Sequence, residues 1–209
     1  LLDDVVAVEV NLSSTLKHVA DFPSYFQVQV ADAALSIGER FGAYDAAAAA
    51  AEMSLGVHRS LMDSIGTLES QWDLSVSLDN VGRVAEARSD WGAAGRAYEE
   101  SLEIRRSLVD SLGTPQARQD LLMSLNNVGR VVEVRGDWNT AEQIYDEAFG
   151  AFRDLADSLG TPESLRDLIV SLGNLAGVVE QLGDTERAES LRAERDRIAK
   201  ILDSGSSET

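Results

Sequence analysis

The sequence predicts an all-α fold, an α-solenoid of stacked antiparallel helical hairpins, on three observations. A segment of 47 residues recurs in tandem, the apolar residues inside each copy fall at helical spacing, and turn residues cut each copy into two helices. Residues 77–123 and 124–170 align without a gap at 24 identical positions out of 47. The identities include Asn80/Asn127, Gly82/Gly129, Arg83/Arg130, Trp91/Trp138, Tyr98/Tyr145 and the run from Asp110 to Pro115 against that from Asp157 to Pro162. Asp63-Ser64-Ile65-Gly66-Thr67 continues the phase backward and Ser171-Leu172-Gly173-Asn174-Leu175 continues it forward, so the repeats run from about residue 21 to the C-terminus.

Residues 1–20 carry two signals. Val6, Val8, Val10 and Leu12 alternate as a strand would, whereas the repeat phase puts the second helix of a preceding hairpin there, ending before Asp21-Phe22-Pro23. The phase favours the helix. Eight further helices are expected over 23–41, 44–64, 68–88, 91–111, 115–135, 138–158, 162–182 and 185–202. The helix at 44–64 is marked by the run Ala46 to Ala51, bare of the bulk that Arg96 and Tyr98 give its sister. Such a smooth face admits close approach of another helix, either the N-terminal segment or a partner chain, which leaves self-association open.

At 115–135 the stripe is Leu121, Leu125, Val128 and Val132; at 138–158 it is Ala141, Tyr145, Ala148, Phe152 and Leu155. Gly160 suits a left-handed helix end, Thr161 an N-cap and Pro162 the first helical position, and Gly136-Asp137 plays the same part ahead of Trp138. The last helix carries Arg192 and Arg195 where its sister has Tyr145 and Ala148, as a capping helix with a solvated outer face should. The expected organisation is a helical segment at 1–20, a repeat domain at 21–203 and a disordered, apolar-poor tail at 204–209.

Composition narrows the function. With 36 acidic against 18 basic residues the net charge is −18, which repels nucleic acid and anionic membrane surfaces. There is no Cys, and His18 and His58 are the only imidazoles, neither with a partner that suggests a metal or proton relay and each read as a structural or surface residue, so no metal site, cofactor or catalytic residue is expected. Neither a membrane span nor a signal peptide is visible, which makes a cytoplasmic location the default. A start at Leu1-Leu2 rather than Met fits a piece cut from a longer chain.

Leu125, Val128, Gly129, Val132, Ala141, Tyr145 and Ala148 fall at the spacing of large, small and aromatic residues in the tetratricopeptide repeat (TPR) family, which this sequence resembles over about residues 21–202. Leu78, Val81, Gly82, Ala85, Ala94, Tyr98 and Ser101 fit well, and Ala31, Ala34, Leu35, Gly38, Ala47, Ala51 and Ser54 fit loosely. The last copy matches through Leu172, Leu175, Ala176, Val179 and Ala188. The family period is about 34 residues, so the longer period here adds roughly two turns to each helix.

The resemblance implies a right-handed superhelix whose first helices line a concave groove for a peptide or protein partner. Carried over, it places Asn80, Asn127 and Asn174 in a row, with Arg83 and Arg130 three residues on, as the peptide-binding residues. Asn offers a donor and an acceptor to a peptide backbone, and Arg a fork to a carboxylate. Asp73, Asp120 and Asp167, and Glu86, Glu133 and Glu180, would make the groove polar, while Gly177 stands where a third Arg would. Against this, Arg83 with Glu86 and Arg130 with Glu133 also read as solvated i, i+3 pairs worth a few tenths of a kcal/mol. Trp91, Trp138 and Tyr44 read as packing residues before ligand platforms. The expected function is a non-catalytic interaction scaffold. The alternative, from a resemblance to long-period arrays of bacterial signalling proteins, is a regulatory or sensor segment beside an NTPase or protease-like domain.

Overall fold

Glycine and threonine set where the helices stop and start. The computed structural model describes residues 2–205, with side chains from 4 to 204. At Gly160 the chain takes φ of 60°, a left-handed angle that costs glycine nothing, and Thr161 Oγ1 accepts the Ser164 backbone N–H at 3.2 Å while Pro162 opens the next helix. Thr67 and Thr114 cap in the same way on the N–H groups of Ser70 and Ala117. Asp137 accepts from the Thr140 N–H and hydroxyl, bonds that hold its carboxyl below the usual range.

The described residues form nine α-helices and no strand. They fall into two compact units, Leu1–Leu108 and Val109–Thr209. The first holds α1 (Leu2–Val19), α2 (Ser24–Phe41), α3 (Tyr44–Ile65), α4 (Leu68–Ala87) and α5 (Trp91–Leu112) as far as Leu108. The second holds α6 (Pro115–Val134), α7 (Trp138–Leu159), α8 (Pro162–Gln181) and α9 (Thr185–Gly205). The last helix runs past its expected end at 202, so Ser204 and Gly205 of the expected tail are helical, and residues 206–209 lie outside the described residues.

In the first unit the N-terminal segment is a helix because Leu12, Leu16 and Val19 face inward one turn apart, while Val6 and Val10 of the alternating pattern stay exposed. Leu12 and Leu16 pack on Ala34, Leu35, Ala47, Ala50 and Ala51. The alanine run thus receives α1. It also lets α2 and α3 nearly touch: a Cβ on Gly38 would lie 2.9 Å from that of Ala47 and 3.0 Å from the Ala43 carbonyl oxygen.

A carboxylate locks this arrangement. Glu9 of α1 accepts the backbone N–H groups of Asp45 (3.0 Å) and Ala46 (2.7 Å) at the start of α3, where the Ala43 N-cap has no side-chain acceptor to offer. Glu9→Ala is therefore expected to lower stability by about 1 kcal/mol, the value of a typical N-cap, read as a lower urea midpoint at unchanged slope; an unchanged midpoint would show that water replaces the cap freely.

In the second unit Leu122, Leu125, Val131, Leu172, Leu175 and Val178 are fully buried. Within α6 and α7, Tyr145 lies against Gly129 and donates its hydroxyl to Glu133 at 3.0 Å; within α4 and α5, Tyr98 lies against Gly82 and donates to Glu86 at 3.0 Å. In α9 the same place is taken by Arg192, which binds the Glu180 carboxylate. Glu86, Glu133 and Glu180 therefore tie together the two helices of the α4/α5, α6/α7 and α8/α9 hairpins, a role that groove placement alone did not anticipate, whereas Glu39 of α2 turns to Arg83 of α4.

Candidate functional site

Side chains of α2 and α4, the first helices of two successive hairpins, face each other across a cleft of about 470 Å³ in the first unit, with α3 behind. The floor is polar. His58 Nδ1 and Ser77 Oγ are hydrogen-bonded at 2.6 Å, Ser77 and Ser54 hydroxyls lie 3.4 Å apart, and the Ser54 hydroxyl points to Asp32 Oδ1 at 3.5 Å. Ser54 and Ser77 are buried, so this relay satisfies groups that would otherwise be stranded away from water.

Burial pushes the Asp32 carboxyl above its ordinary range, and the attraction of His58 and the Ser54 bond offset only part of that rise. At the rim, Arg83 pairs with the Glu39 carboxylate across the cleft and donates to Asn80 Oδ1 at 2.9 Å. Trp72, 44% exposed, and Asp73 form the other end of the α4 wall.

Of the residues expected to contact a peptide, Asn80 and Arg83 come together in this cleft. Arg83 is anchored to α2 rather than held ready as a bare fork. In the second unit Asn127 accepts from Arg130 at 3.4 Å, and Asn174 of α8 donates to Asn126 of α6 at 3.2 Å. Gln119 donates to Asp167 at 3.3 Å across the same pair of helices, and burial, with Glu163 nearby, raises the Asp167 carboxyl. Asp120 is buried and accepts from Gln116 of its own helix at 2.9 Å. Where α2 and α4 leave a cleft, α6 and α8 are thus bridged by amide side chains.

His58 is the residue that sequence reasoning passed over. Its bond to Ser77 fits a structural residue, but that bond puts it at the floor of the cleft, whereas His18, bonded to the Ser14 carbonyl oxygen, is a local surface residue. A signal existed. His58 stands 47 residues before Arg105, Asp32 before Asp79, Ser54 before Ser101 and Ser77 before Ser124, so four polar positions share one register. Tyr44 is 37% exposed, and Trp91 and Trp138 are half-buried. Among the described residues no cluster of His, Asp and Glu could hold a metal ion, and no helix is long and apolar enough to cross a membrane.

No family model matches the chain, and no curated protein matches it. Solved structures do. The chain is similar to BtubC (BKLC) from P. vanneervenii, with a TM-score of 0.70 at 20% identity over 96% of this chain and 75% of that one. It is also similar to a putative kinesin light chain of Podosopora anserina with nearly identical TPR-like repeats, with a TM-score of 0.51 at 13% identity over 94% of this chain and 95% of that one. A variant of the same protein gives 0.51 at 11% identity. These likenesses establish the fold, an all-α helical repeat of the solenoid class.

Proposed function

We propose that this chain is a non-catalytic interaction module that receives an extended peptide or protein segment along the first helices of its hairpins. The observation that carries this reading is the cleft between α2 and α4, where one concave surface joins amide, hydroxyl, carboxylate and aromatic groups. A segment in extended conformation carries unpaired backbone N–H and C=O groups, and Asn80 offers a partner to each kind. Arg83, clamped between Glu39 and Asn80, would close one end. In the second unit Asn127, Arg130 and Asn174 would serve the same kind of contact.

The test is capture of a phage-displayed random peptide library. Wild-type protein is expected to enrich a peptide family whose capture falls at least tenfold in the Asn80→Ala, Arg83→Ala double variant, with its melting temperature within a few degrees of wild type. Equal capture by both proteins would remove the α2/α4 cleft as the site, and the parallel pair Asn127→Ala, Arg130→Ala then decides for or against the second unit.

A further inference from the structure

We propose that the cleft of the first unit takes a guanidinium, the side chain of an arginine in the partner segment, beside Asp32. The inference rests on the cleft being a peptide site and adds what that site selects.

The molecule carries its own precedent in the same unit. In α4 and α5, Arg105 reaches Asp79 with Nη2 to Oδ2 at 2.6 Å, while its Nε donates to Ser75 Oγ at 3.3 Å. The Arg105 side chain is 5% exposed, so the repeat encloses an arginine there at the expense of its hydration and offsets that with a carboxylate. Counting back 47 residues replaces Asp79 with Asp32 and Arg105 with His58. The carboxylate stays and the guanidinium goes. The shorter imidazole ends on Ser77, and the space next to Asp32 opens to the cleft.

Counting forward gives Asn126 and Phe152, where cation and carboxylate have both been exchanged for neutral groups. Of the three copies, the first alone keeps an acid without the arginine that answers it.

The surrounding charges agree. Glu39 is matched by Arg83, whereas among the described residues neither Asp32 nor Asp73 has an ion pair. Asp32 is exposed to the cleft and only partly withdrawn from water, so a cation can reach its carboxylate, and the partial burial that raises its affinity for a proton favours an arriving positive charge in the same sense. Trp72, partly exposed, lines the same cleft, and an indole is a better neighbour for a planar guanidinium than for an ammonium group. The net charge of −18 would draw a basic segment in.

The probe is N-acetyl-arginine amide, followed by ¹H–¹⁵N NMR, with the neutral isostere N-acetyl-citrulline amide and N-acetyl-lysine amide as comparisons. The arginine probe is expected to shift cleft resonances of Asp32, Ser54, Asp73 and Ser77, at least tenfold more tightly than citrulline and more tightly than lysine. Asp32→Asn is expected to weaken it at least tenfold without loss of fold. His58→Arg, which restores the arginine of the sister copy, is expected to abolish probe binding and raise the melting temperature. Equal binding of citrulline, or full binding by Asp32→Asn, overturns the inference. Peptides captured through Asn80 and Arg83 without arginine enrichment overturn it too, while leaving the peptide-site reading intact. Arginine binding without any peptide capture sustains it and removes that reading instead.

Discussion

Gly129→Val is expected to destabilise the second unit by about 3 kcal/mol or more, at or above the upper end of ordinary overpacking. A Cβ at this position would lie 2.6 Å from Tyr145 Cε1 and 2.7 Å from Cζ. The ring cannot step aside, because Tyr145 is 2% exposed and its hydroxyl is held by Glu133. Even Gly129→Ala should destabilise, although alanine in a helix interior is worth about 1 kcal/mol over glycine by propensity; the sign reports whether contact or propensity wins. In the first unit a Cβ on Gly82 would come within 2.4 Å of Tyr98 Cε1, so Gly82→Val should be at least as damaging. Removing the ring should restore room: the Gly129→Val, Tyr145→Ala double variant is expected to lose clearly less than the sum of its parts in urea unfolding. A raised melting temperature for Gly129→Ala would contradict the packing described.

Gly129 and Tyr145 also show why the fold was legible. A small residue on one helix and an aromatic on the next, repeated at Gly82 and Tyr98, is a packing rule written in side-chain volume, and volume is visible in a sequence. The caps were legible for the same reason, since Gly160, Thr161 and Pro162 act within a few residues of each other. The N-terminal segment was harder. The burial of α1 is decided by Leu12 and Leu16 meeting Ala47 and Ala50 far along the chain, and the alternation of valines pointed the other way.

The candidate site was legible in part. Asn80 and Arg83 were found because they recur. The relay from His58 to Asp32 was not legible because its members come from three helices, and because His58 departs from the repeat instead of recurring in it. Loss of a pattern can mark a site as well as persistence of one.

The buried Arg105 of the first unit can be tested directly. Arg105→Met is expected to cost about 3–5 kcal/mol, because it leaves the Asp79 carboxylate, with a side chain 18% exposed, without the guanidinium that justifies its charge. The magnitude comes from the abandoned charge rather than from the lost contact. Methionine keeps much of the apolar stem, so packing alone would account for less. The double variant Arg105→Phe, Asp79→Asn writes into the first unit the pair that the second carries at Phe152 and Asn126, and it should recover most of the loss, ending within about 2 kcal/mol of wild type as replaced buried ion pairs often do. Urea unfolding of the single and double variants measures the difference. If both lose the same amount, the ion pair is not what holds this part of the hairpin, and the argument that Asp32 awaits an equivalent partner loses its physical basis. If the double recovers, the enclosed Asp79 carboxylate depends on the cation beside it, and the copy that keeps the acid at Asp32 while surrendering the arginine leaves that carboxylate open to the cleft for a cation from a partner.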